Sequence, residues 1–174
     1  MLITEDALYQ IIEDTWNSTL GFHVERRPGE GPVPAGALTV GVKITGAWDG
    51  EVRLHCPGPL ARLIAAAIYQ VEGESAGRDE ILDALSELVH IVGGNLKTLL
   101  PPPVMLSLPS VSERGEERET QAPSQRQLLS RLTLMAQGYP FVVTLLGAPP
   151  PVGAGEPEVT RNNAQPPGLP YALL

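Results

Sequence analysis

The stretch Asp79–Leu100, DEILDALSELVHIVGGNLKTLL, constrains the chain more than any other. At about 100° per residue, Ile81, Leu85, Leu88, Val92, Leu96 and Leu99 fall on one apolar stripe, the period of an amphipathic helix. Asp83, Glu87, His90, Gly94 and Lys97 fall opposite, within an arc of roughly 80°. Acids crowd the first turns and Lys97 stands near the end, as the helix dipole prefers. Pro101, Pro102 and Pro103 then stop the helix. A narrow polar face is therefore expected toward solvent. It carries a carboxylate and an imidazole at i and i+3, side by side.

Around this helix the sequence alternates between two periods. Thr4 is suited to cap a first helix, with Leu8, Ile11, Ile12, Thr15, Trp16 and Leu20 as its stripe and Gly21 as its end. Phe22–Arg27 reads as a strand, followed by a loop dense in Pro and Gly up to Gly36. Leu38, Val40, Val42 and Ile44 alternate with Thr39, Gly41, Lys43 and Thr45. The turn 46–50 leads to a return strand, Glu51–Cys56. A second, alanine-rich helix from Leu60 to about Val71 is apolar nearly all round and expected largely buried. Val104–Val111 reads as a strand with Pro109 marking an edge or an end. Polar residues 112–124 read as an exposed loop. Gln127–Met135 and Pro140–Leu146 form a hairpin about Gln137 and Gly138.

These elements sum to an α+β fold in the order α-β-β-β-α-α-β-β-β. About six antiparallel strands carry three helices in an α/β sandwich. The folded domain is expected over residues 1–147. Residues 148–174 hold seven prolines in 27 positions and read as a flexible tail.

Composition excludes several classes. A net charge of −8 leaves no basic surface for nucleic acid. No uninterrupted apolar run approaches the roughly 18 residues of a membrane span, and the first residues do not read as a signal peptide. The single cysteine, Cys56, permits no internal disulfide and suits a reducing, cytoplasmic setting. His55 and Cys56 are strand neighbours that point to opposite faces, and the three histidines form no metal pattern.

The string Asp83–Thr98 resembles the signature helix of the CheX-like chemotaxis phosphatases (CheC, CheX and FliY type), whose motif is Glu-x-x-Asn followed by Gly-Asn and often Lys-Thr. Glu87 matches the motif glutamate, and Gly94-Asn95-Leu-Lys97-Thr98 matches the segment after it. His90 stands where the family has its asparagine. The resemblance extends over roughly Thr4 to Leu146. It includes the Gly46…Gly50 turn, the Pro59-Leu-Ala61 helix start and Leu106-Ser-Leu-Pro109.

The resemblance implies docking on a phosphorylated response-regulator receiver domain and hydrolysis of its aspartyl phosphate. It places Glu87 on the receiver's active-site lysine and residue 90 in the phosphoryl pocket, orienting a water. Asp83, Gly94 and Lys97 would line the docking face, and Asn95 would be a structural hydrogen-bonder. The Mg²⁺ would be the receiver's, with no metal or cofactor belonging to this chain. Members also form homodimers, with a sheet edge as the expected surface. An asparagine offers a fixed acceptor at any pH, whereas an imidazole accepts only when neutral. Two outcomes stay open: a weakened enzyme, or a receiver-binding adaptor without catalysis. A second site on the first helix is not expected, because Glu13 is followed at i+3 by Trp16, a core residue by its stripe.

Overall fold

The computed structural model describes residues 3–72, 75–112 and 126–148. Helix α1 (Glu5–Leu20) begins at Thr4, whose Oγ1 accepts from the Ala7 N–H, and ends at Gly21 with φ of 69°. A short strand β1 (Glu25–Arg26) precedes the hairpin of β2 (Leu38–Gly46) and β3 (Gly50–Cys56). Then come helices α2 (Gly58–Tyr69) and α3 (Arg78–Lys97), strands β4 (Val104–Leu106) and β5 (Ser110–Ser112), and the hairpin of β6 (Gln127–Ala136) and β7 (Tyr139–Gly147). Gln137 and Gly138, with φ of 51° and 81°, make the β6–β7 turn with both central residues left-handed, which suits the strand twist.

All pairs are antiparallel, in the order β1-β6-β7-β3-β2-β4, with β5 also on β2. Register sets the faces. Val40, Leu54, Val143 and Leu132 lie side by side across four strands, and all are buried. They join Leu8, Ile12 and Trp16 of α1, Leu60 and Ile64 of α2, and Leu85, Leu88 and Leu96 of α3 in one core. The three helices therefore cover one face of the sheet, as the alternation predicts. Trp16 stacks on Phe141 with ring centroids 4.2 Å apart, anchoring α1 to β7.

The other face is polar. His55 bonds through Nδ1 to Thr39 Oγ1 (2.9 Å) and through Nε2 to Thr144 Oγ1 (3.2 Å), while Cys56 next to it is in the core. The segment from Arg27 to Ala37 crosses this face from β1 toward β2. The Gly31 N–H is held by Thr133 Oγ1, and the Gly31 carbonyl accepts from Arg131 Nη2.

The structure differs from the sequence reading at the sheet edges. The described residues form seven strands, because the segment 104–111 divides into β4 and β5 on either side of Leu108 and Pro109. Proline brings no N–H to the ladder there. The strand expected over Phe22–Arg27 shrinks to the two residues that pair with Met135 and Leu134. Helix α3 stops at Lys97, so Leu99 leaves the stripe and is 42% exposed. Helix α2 buries Leu60, Ala61, Ile64 and Ala65 on one side only, and its Tyr69 is exposed. The expected loop 112–124 and tail 148–174 lie, beyond Ser112 and Ala148, outside the described residues.

Candidate functional site

Helix α3 starts with the Gly77 N–H donating to Glu80 Oε2 at 2.8 Å, and it packs against β2, β4 and α1. It lies tightly on the sheet at Gly93, where an added Cβ would stand 2.6 Å from Val42 Cγ1. At Gly94 the same test meets nothing within 4 Å. Two adjacent glycines thus do opposite things. One brings the helix down onto β2, and the other leaves open space on the outward side.

That outward side carries the residues singled out from the sequence. Asp83, Glu87 and Lys97 are exposed, while His90 and Gly94 are half-buried. Among the described residues neither Asp83 nor Glu87 is engaged in an ion pair. Glu87 is thus a carboxyl group open to solvent. Asn95 donates through Nδ2 to Thr15 Oγ1 at 3.3 Å and ties α3 to α1. Thr15 was legible only as one position of the α1 stripe; its hydroxyl accounts for a polar residue buried there.

His90 is held in a particular way. Its Nδ1 is closed off from solvent and has no hydrogen-bond partner among the described residues, whereas its Nε2 is not closed off. A buried N–H without an acceptor is the rarer and costlier orphan, so the neutral ring favours the tautomer with its proton on Nε2. The nitrogen that faces outward is then a donor. It suits a phosphoryl or carbonyl oxygen better than the hydrogen of a water.

On α1, Trp16 is in the core and Asn17 is exposed one position later, so the Glu-x-x-Asn spacing is not repeated there. Burial pushes the Cys56 thiol up, away from the thiolate a nucleophile needs. Among the described residues no three His, Cys, Asp or Glu side chains group as metal ligands. No helix among them is long and apolar enough to cross a membrane.

Three helices on one face of an antiparallel sheet, with a Glu-x-x-His face on the last helix, define a domain of the chemotaxis-phosphatase type. The family profile described as chemotaxis phosphatase CheX matches residues 38–131, and the chain belongs to that family. Its fold is similar to chemotaxis protein CheX from Vibrio vulnificus, with a TM-score of 0.65 at 14% identity over 82% of this chain and 95% of that one. A CheC-like superfamily protein from a Shewanella species gives 0.62 at 14% identity, over 83% and 96%. The CheX–CheY–BeF₃–Mg²⁺ complex from Borrelia burgdorferi gives 0.63 at 14% identity, over 86% and 100%. Curated proteins yielded no match.

Proposed function

We propose that this chain docks on a phosphorylated response-regulator receiver through the outward face of α3 and hydrolyses its aspartyl phosphate slowly. The observation that supports this most is Glu87, exposed and without an ion-pair partner among the described residues, one turn before His90 and on the same side of the helix as the open space at Gly94. Membership of the CheX family supports the same reading, as does similarity to a CheX solved with CheY, BeF₃ and Mg²⁺. In this reading Glu87 meets the receiver's active-site lysine. Asp83 and Lys97 flank the contact, Gly94 lets the partner backbone approach, and Asn95 holds α3 on α1. Water attacks phosphorus, the aspartyl O–P bond breaks, and phosphate leaves with the carboxylate restored. The Mg²⁺ at that centre is the receiver's. Such a transfer asks chiefly for positioning and charge stabilisation, so two side chains can suffice. With a receiver as its partner, the chain works in the cytoplasm. Pairing of two copies through the β4–β5 edge, where Met105 and Leu108 are exposed, gives the homodimer.

A second reading, an adaptor that binds without hydrolysis, is favoured by the buried Nδ1 of His90. A ring that presents Nε2–H can grip the phosphoryl group but cannot orient the water through an acceptor. One experiment separates the two. Decay of a phosphorylated receiver is followed alone, and with the parent, His90→Asn and His90→Ala proteins, beside a binding measurement for each. The expected order of rates is His90→Asn, parent, His90→Ala. A parent that binds yet leaves decay unchanged, while His90→Asn speeds it, establishes the adaptor. Absence of binding to any phosphorylated receiver removes both readings.

A further inference from the structure

At the opposite end of the sheet from α3, the edge formed by β1 and β6 holds a cavity of about 450 Å³. Strand β1 covers β6 only at Met135 and Leu134, so Leu132 and Arg131 have no strand beside them on that edge. The chain leaves β1 through Arg27, turns at Gly29 with φ of 82°, and is tied back by Thr133 and Arg131 at Gly31. The cavity lies between this arch and β6, and its charged lining is Arg26, Arg27 and Arg131 with the carboxylates of Glu5 and Glu30. In a chain of net charge −8, three of the 12 cationic Lys and Arg residues converge here.

Their engagement is unequal. Arg26 is paired with Glu5 and Asp6 of α1. Arg131 gives Nη2 to the Gly31 carbonyl at 2.6 Å, while its Nε is closed off from solvent with no partner among the described residues. The tether engages the first nitrogen and the second is out of a ligand's reach, so Nη1 is the nitrogen left for the cavity. Among the described residues Arg27 forms no ion pair, and Glu30, which also lines the cavity, bonds to neither arginine.

We infer that this cavity is an anion site that takes the phosphoryl group of a small phosphate ester, gripped by Arg131 and Arg27. The free guanidinium fork of Arg27 can pair with two oxygens at once, and Arg131 adds the one nitrogen its tether leaves over. The two arginines come from different elements, so a tetrahedral group with three free oxygens can serve both, whereas one carboxylate serves one fork. The volume lies in the usual range for small-molecule sites, roughly 300–1,000 Å³, and leaves room for a nucleoside beyond the phosphate. The global charge repels anions, so attraction at this place has to be local.

The test is amide NMR of the full chain titrated with adenosine 5′-monophosphate, with inorganic phosphate and with succinate. Saturable shifts are expected at 26–31 and 131–133 with both phosphates, and not with succinate. Arg131→Gln and Arg27→Ala should each weaken binding about tenfold or more, while Arg62→Ala, on the exposed side of α2, should not. Because Arg131→Gln also loosens the Gly31 tether, Arg27→Ala is the deciding variant wherever the first changes the ligand-free spectrum. The inference is overturned if neither phosphate gives saturable shifts up to about 10 mM, a Kd beyond which binding is trivial. It is equally overturned if Arg27→Ala binds as the parent does. Succinate binding as well as the phosphates do would overturn the assignment to a phosphoryl group.

Discussion

Glu87 and Cys56 show how burial alone sorts reactive side chains. Cys56 lies in the core with its thiol pushed up, and its role ends at packing. Glu87 projects into water and adds nothing to the core, so its removal should be felt only by a partner. Glu87→Ala is expected to leave circular dichroism unchanged and stability within about 0.5 kcal/mol, as for other exposed positions. Affinity for a phosphorylated receiver should fall at least about tenfold, the usual loss when a desolvated charge pair is broken. Intact affinity in a titration of the variant, or lost helix signal, removes Glu87 from the docking face. His90 shows where reading a lone helix stops. Its angular position is legible in the sequence, but the closing-off of Nδ1 depends on what packs around α3. A helical wheel holds no neighbours, and so could not tell which ring nitrogen faces outward.

Helix α3 was the most legible element, because a 3.6-residue period kept over five turns leaves one solution for which side is buried. Both hairpins were legible for a related reason, alternation in the first and apolar runs in the second, each broken by a Gly-containing turn. The short strands were not. β1, β4 and β5 have two or three residues each, too few to display a period, and are strands only because β6 and β2 offer them free edges. Gly94 was legible as a residue of the polar face, while the role of Gly93 needed the sheet beneath. Gly93→Ala forces a Cβ against the stiff, β-branched Val42 and should cost about 1–3 kcal/mol, as overpacking does. Gly94→Ala meets only open space, and alanine's helix propensity should raise stability by up to about 1 kcal/mol. Chemical denaturation of both variants checks the opposite signs. If Gly94 is also where a partner backbone approaches, its alanine variant should be the more stable protein and the poorer receiver binder. Equal destabilisation by both would mean that the helix does not rest on β2 through Gly93.

Across the whole molecule, one core closes between Ile3 and Leu145, and it draws on all three helices and both long hairpins. The last described bond of the chain is the Ala148 N–H to the Asp49 carbonyl, 2.9 Å, just past the end of β7. At that point β6 and β3 already flank β7, so no central strand is left waiting for a neighbour. The helix-covered face holds Trp16, Phe141 and the four-strand row from Val40 to Leu132, all buried. The sequence after Ala148 is rich in Pro and Gly, with Val152 and Val159 isolated and larger apolar side chains gathered at Leu169, Tyr171, Leu173 and Leu174. Proline removes the donors and fixes the φ values that a further strand or helix needs. We therefore propose that folding requires residues 1–148 alone. A chain ending at Ala148 should unfold in one cooperative transition with its Tm within about 4 °C of the full chain, less than roughly 1 kcal/mol in a domain of this size. Calorimetry on the two chains at equal concentration makes the comparison. A larger fall would show that the terminal apolar residues pack on the domain, with the exposed Met105 and Leu108 on the β4–β5 edge as the first place to look. The same cut made in Met105→Lys and Leu108→Lys backgrounds would then decide it, since a tail seated on that edge loses its effect once the edge is charged.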